Sequence, residues 1–135
     1  MIFKVGDTFN EEFHVSNEIY AGFIQLFKDK NPLHTDQEIA IKKGFKGMVM
    51  HGNILNGFLS YFIGECLPTK NVIIHSQEIQ FKNAVYKNDF LQFKAEIIGF
   101  YESVNAAEFK FEFRNSENKI VAKGKIQIGI TQGIY

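Results

Sequence analysis

Cysteine, arginine and proline are scarce in this chain of 135 residues, which has one cysteine, Cys66, one arginine, Arg114, and two prolines, Pro32 and Pro68. A lone thiol cannot close an internal disulfide, so the fold must hold by packing, which suits a reducing compartment. Fifteen basic and fifteen acidic residues leave no net charge. Nucleic acid is not expected as a partner, because binding it needs a basic excess with arginine clusters. No apolar run approaches the length of a bilayer span, and Met1 to Asp7 lack the apolar core of a signal peptide. A cytoplasmic protein without a membrane partner is the expectation. The chain has no Cys/His cluster of zinc spacing, no Gly-x-Gly-x-x-Gly before a helix and no Gly-x-Ser-x-Gly elbow. No metal, nucleotide or flavin cofactor is implied.

Apolar residues are plentiful: 45% of the chain is hydrophobic, with 15 phenylalanines. That is enough for one sizeable core, and with no repeat or linker the expectation is a single domain over residues 1–135. Phe9 to Val15 reads as a strand. Ser16 then caps a helix in which Ile19, Phe23 and Phe27 recur every fourth residue, burying one face and delivering Asp29 just past its end. Thr35 and Glu38 stand in capping-box spacing, which predicts a short helix from Asp36 to about Gly44 with His34 at its mouth. From Gly52 the residues Ile54, Leu55, Phe58, Leu59, Phe62 and Ile63 follow helical spacing over much of the circumference, as in a helix wrapped by a sheet. Val72-Ile73-Ile74, Phe90 to Phe100, Ala107 to Phe113 and Ile120 to Ile130 then read as four strands, separated by turns at Asn88-Asp89, Glu102-Ser103 and Asn115 to Asn118. On pattern alone this α+β order fits a sheet curled round a central helix and, equally, a helix on an open sheet.

The stretch Asp29-Lys30-Asn31-Pro32-Leu33-His34-Thr35-Asp36 carries the chemistry. Pro32 fixes its own φ and holds Asn31 extended, so a loop can keep a carboxylate and an imidazole in a defined relation, as proton transfer requires. At Met50-His51-Gly52-Asn53 a glycine opens the apolar helix. The unpaired amides of such a helix start, reinforced by the helix dipole, can hold an oxyanion, and glycine lets a carbonyl come close.

Asp29, Asn31, Pro32, Leu33, His34 and Asp36, then Gly44-Phe45, then Met48 to Gly52, resemble in order and spacing the hydratase signature of the MaoC-like family of (R)-specific enoyl-CoA hydratases and 3-hydroxyacyl dehydratases. The resemblance implies a hot dog fold, an antiparallel five-stranded sheet wrapped round a central helix, with an overhanging loop-helix segment carrying the active site. It implies a hydro-lyase acting reversibly on trans-2-enoyl and (R)-3-hydroxyacyl thioesters of coenzyme A or acyl carrier protein, so that coenzyme A or phosphopantetheine enters with the substrate. Asp29 and His34 would activate the water and Gly52 would supply the oxyanion donor. Asn31 would fix the loop, and Ser60, where the family has a serine near the acid, would hold Asp29. His51 would support the site or line it, while Asp36 suits the first turn of a helix in any protein. The family commonly assembles as homodimers, which is expected here.

Gln80 to Asp89 departs from the family pattern. Phe81, Val85 and Asp89 match, Asn88 replaces a glycine at a turn and tolerates positive φ, and the usual arginine and proline are missing. Phosphates would therefore have to meet lysines such as Lys82 or Lys87. A hot dog thioesterase, whose His-Gly-Gly is similar to His51-Gly52, and a non-catalytic thioester-binding module are the alternatives. The first does not carry the Asp29 to His34 pattern, and the second would be expected to lose Asp29 or His34.

Overall fold

Period-two alternation of apolar and polar residues sets five strands: β1 Thr8–His14, β2 Val72–Phe81, β3 Phe90–Tyr101, β4 Ala106–Arg114 and β5 Ile120–Ile130. In this computed structural model, which describes residues 2–133, they form one antiparallel sheet in the order β1-β3-β4-β5-β2. Leu91, Phe93, Ala95 and Ile97 of β3 and Phe109, Phe111 and Phe113 of β4 point to the buried face, while Lys94, Glu96, Lys110 and Glu112 point away from it.

Four helices lie between β1 and β2: α1 Asn17–Phe27, α2 Pro32–Thr35, α3 Gln37–Lys42 and α4 Asn53–Tyr61. The central one is α4, which buries Ile54, Leu55, Phe58 and Leu59 and runs into a π-helical turn, Phe62–Cys66, that buries Phe62 and Ile63. The Phe62 ring lies 4.8 Å from that of Phe93 and 5.8 Å from that of Phe109, and Phe58 stacks on Phe13 at 4.6 Å. Truncating Phe62 to alanine would cost about 3–5 kcal/mol, the scale for a large aromatic lost from a close-packed core. This is the hot dog arrangement of sheet and helix. Among the described residues no helix is long and apolar enough to cross a membrane.

The segment between β1 and α4 departs from sequence expectation in two places. Ser16 caps α1 by accepting a hydrogen bond from the Ile19 amide, but the residue α1 buries is Tyr20, and Phe27 is 70% exposed. The Ile19, Phe23 and Phe27 stripe faces a cavity beside α4 rather than the sheet. Nor is there a Thr35 capping box. Thr35 closes the extra turn α2, its hydroxyl bonding back to the carbonyls of Lys30 and Asn31, and Asp36 caps α3 instead by accepting from the Ile39 amide.

Asn88 takes φ 75°, the left-handed conformation its turn needs. Strand β2 runs seven residues past Ile74, with a register shift between Ile74 and Ser76, and forms a sheet edge. It leaves Ile73 55% and Phe81 53% exposed.

Candidate active site

Proline at the first turn of α2 and Asn31 as its cap shape the loop that holds the chemistry. The Asn31 side chain accepts from the Leu33 amide at 3.0 Å, and the Asn31 amide donates to the Asp29 carboxylate at 3.2 Å. Asp29 follows α1 directly, because Lys28 ends that helix in a left-handed conformation.

His34 sits inside α2, with its Nδ1 2.7 Å from the carbonyl oxygen of Val49. A carbonyl only accepts, so Nδ1 carries the proton and Nε2 of the neutral ring is the basic nitrogen. Val49 is fixed in turn, since its amide donates to the Leu33 carbonyl and it bridges to Tyr86. The Tyr20 hydroxyl reaches 2.7 Å from the His34 carbonyl and 3.1 Å from that of Val49. Burial pushes the Tyr20 phenol above its ordinary pKa, so it stays a donor across the physiological range.

His51 is 2% exposed and lies between the two halves of the site. Its Nε2 is 2.9 Å from the Asp29 backbone carbonyl, so Nε2–H donates there, and 4.0 Å from a carboxylate oxygen of the same residue. Nδ1 is buried without a partner. The His51 ring stacks on that of His34 with centroids 3.9 Å apart and lies 4.8 Å from that of Phe23. One ligand atom from each of Asp29, His34 and His51 lies within 4.8 Å of the other two. The spacing could admit a cation, but the stacked rings send their in-plane lone pairs along nearly parallel planes instead of toward one point.

Gly52 stands at the N-terminus of α4, and its amide has no acceptor among the described residues. A Cβ on Gly52 would come 2.9 Å from the Phe81 ring, so glycine is what lets that ring lie across the helix start. Asp29, His34, His51, Gly52, Phe81 and Lys82 all line one cavity of about 550 Å³.

The structure therefore brings together Asp29, His34, His51 and Gly52, with Asn31 behind them. It does not bring Ser60. That residue is exposed on α4, eight residues beyond Gly52, or roughly 12 Å along a helix, and its hydroxyl makes no hydrogen bond to Asp29. Asn53 borders the cavity beside Asp29 instead. Lys82 lines the site, but Lys87 faces a separate surface cavity with Lys46 and Tyr86. Tyr20 and Phe81 complete the site without having been singled out for it in the sequence; Phe81 stood only as a matched position, and Tyr20 sits one residue off the apolar stripe of α1.

Residues 5–119 match the model of the MaoC like domain. The mitochondrial 3-hydroxyacyl-[acyl-carrier-protein] dehydratase of Arabidopsis thaliana is 29% identical over 127 residues, spanning 92% of this chain and 75% of that protein. The (R)-specific enoyl-CoA hydratase of Aeromonas caviae is 33% identical over 82 residues, 61% of each chain. Among solved structures, the (R)-hydratase from A. caviae involved in PHA biosynthesis superposes with a TM-score of 0.87 over 95% of this chain and 97% of that one, at 24% identity. By the family match, and in agreement with the fold and the site, this chain belongs to the MaoC-like domain family.

Proposed function

We propose that the protein is a hydro-lyase that adds water reversibly across the double bond of a trans-2-enoyl thioester to give the (R)-3-hydroxyacyl thioester. The observation that carries this reading is the arrangement of the Asp29 carboxylate, the unprotonated Nε2 of His34 and the unpaired Gly52 amide around one cavity. The names of the plant dehydratase and the bacterial hydratase support the same chemistry.

In the hydration direction, water held between Asp29 and His34 loses a proton to one of them as its oxygen bonds to C3. The C2–C3 π electrons move to C2, and the negative charge spreads onto the thioester oxygen. In this reading the Gly52 amide, backed by the dipole of α4, stabilises that charge. A proton returned to C2 then completes the product with the thioester intact. The tautomer of His34 is set by Val49, so the base needs no reorientation before it acts.

The carrier arm, whether from coenzyme A or acyl carrier protein, enters past Lys82, the cation on the cavity wall. No cofactor beyond the substrate's own carrier takes part. We take the working form to be a homodimer joined along β2, whose unpaired edge and exposed Ile73 and Phe81 are otherwise costly to leave in water. A cytoplasmic setting fits the unpaired thiol of Cys66. Incubation with crotonyl-CoA followed by chiral analysis tests the reaction: the (R)-3-hydroxy product supports it, and unchanged substrate across enoyl-CoA and enoyl-carrier thioesters contradicts it.

A further inference from the structure

The apolar stripe of α1, made by Ile19, Phe23 and Phe27, walls an open groove of about 720 Å³ against α4, with Ile54 and Phe58 as its floor. The floor is buried, whereas Ile19 is 37% and Phe27 70% exposed. The rings of Phe23 and Phe27 lie 4.9 Å apart along the wall. A run of apolar side chains left open to water in this way marks a surface on which something apolar is held.

The groove begins where the chemistry is. Phe23, Asp29 and Asn53 line both it and the cavity that holds His34 and Gly52, so the two spaces meet at the carboxylate. In the proposed reaction the thioester oxygen meets the Gly52 amide, the carrier arm leaves past Lys82, and C3 lies against Asp29. The substituent on C3 is trans to the carbonyl and so points away from Gly52 and Lys82, past the carboxylate and into the groove. The first cavity gives it no comparable run, because Met50, Leu55 and Val85, which line that cavity, are buried in the core and close it.

We infer that the groove between α1 and α4 carries the acyl tail, so that the preferred substrates are thioesters of long apolar chains, with Phe27 as a specificity-determining residue. From Phe27 to Ile19 the stripe runs roughly 12 Å along the helix, the length of an extended tail of about nine carbons beyond C3. A crotonyl group ends one carbon past C3, before the groove. Since the groove is open, no wall caps the chain. The inference rests on the hydratase reading and adds to it the class of acyl chain.

The test measures kcat/KM for crotonyl-CoA, trans-2-octenoyl-CoA and trans-2-dodecenoyl-CoA in wild type, Phe27→Leu and Phe27→Ser, with the mass of each protein in solution measured alongside. Wild type is expected to favour octenoyl over crotonyl by about tenfold, since each of the four added carbons, half-covered by the groove, contributes close to twofold, and to accept dodecenoyl at least as well as octenoyl. Phe27→Ser should lower the octenoyl to crotonyl ratio severalfold, and Phe27→Leu, which keeps an apolar wall, should retain most of it. Equal turnover of crotonyl and octenoyl by wild type overturns the inference and leaves the hydratase reading standing, and this comparison decides even if neither variant folds. A rise to octenoyl followed by rejection of dodecenoyl puts the tail in the closed first cavity and also overturns it. So does a ratio that Phe27→Ser leaves unmoved, and a changed mass of that variant then assigns the stripe to a contact between copies. Hydration of none of the three removes the hydratase reading, and the inference with it.

Discussion

His34 and His51 stack with ring centroids 3.9 Å apart and planes 24° from parallel, and each ring has one nitrogen committed to a backbone carbonyl, His34 to Val49 and His51 to Asp29. The pair thus ties the loop that carries His34 to Asp29. In the proposed reaction His51 is a positioning residue that acts through this contact.

Asp29→Asn and His34→Gln are each expected to lower hydration at least about a hundredfold, the lower end for losing a general acid or base. Far-ultraviolet circular dichroism should stay unchanged, since Asp29 is exposed and His34 half-buried. Near-normal turnover by either variant would remove that residue from the reaction.

Tyr20→Phe should keep the ring packing but take from the His34 carbonyl the hydroxyl it accepts from, while the Val49 carbonyl keeps its bond from His34 Nδ1. A loss of about 1–3 kcal/mol in denaturant unfolding is expected, the scale for a buried hydrogen bond left half unmade. A fall in kcat larger than any change in KM should accompany it, because the same hydroxyl fixes the His34 backbone.

Gly52→Ala tests the helix start. Gly52 already has helical dihedrals, so alanine should fold, but its Cβ would collide with the Phe81 ring and push that ring into the thioester cavity. We expect kcat/KM to drop about tenfold or more, on the scale seen when a reacting group is misplaced by a fraction of its own size. Adding Phe81→Leu should recover part of the loss. No recovery would show that the damage lies in the donor amide and not in the ring.

Cys66 gives a pH signature. Burial, with Glu11 and Glu65 nearby, pushes its thiol up to about 11 from an ordinary 9.0. The thiolate is thus disfavoured by folding, so the stability this thiol contributes is full below pH 9 and is lost as pH climbs toward 11. Alkylation by iodoacetamide should be slow at pH 8 and accelerate above pH 10 in the native protein, whereas urea-unfolded protein should react readily near pH 9. Equal native and unfolded rates at pH 9 would contradict the assignment.

The sequence shows the strands and central helix plainly because alternation and helical spacing are one-dimensional signals that burial enforces. It shows less where a residue's role depends on what lies across a gap. The Ile19, Phe23 and Phe27 stripe has the spacing of a buried face, yet it borders a cavity, a distinction that periodicity cannot make. Thr35 and Asp36 both suit a helix cap, and only the extra turn begun by Pro32 decides between them. β2 reads as strand for three residues because beyond Ile74 its polar residues face solvent at a sheet edge and no alternation survives. Asp29, His34 and Gly52 are legible from a local pattern. Ser60 is not, because its expected contact with Asp29 depends on how far along α4 the loop reaches, and Asn53 lies there instead.

The most direct test of the central claim follows one preparation with crotonyl-CoA while reading two signals, the absorbance of the conjugated thioester and free thiol trapped by a disulfide reagent. A hydratase built on Asp29, His34 and Gly52 removes the enoyl absorbance and releases no thiol. Thiol appearing as fast as that absorbance falls would mean that water attacks the carbonyl carbon, and the protein would be a thioesterase instead of a hydratase.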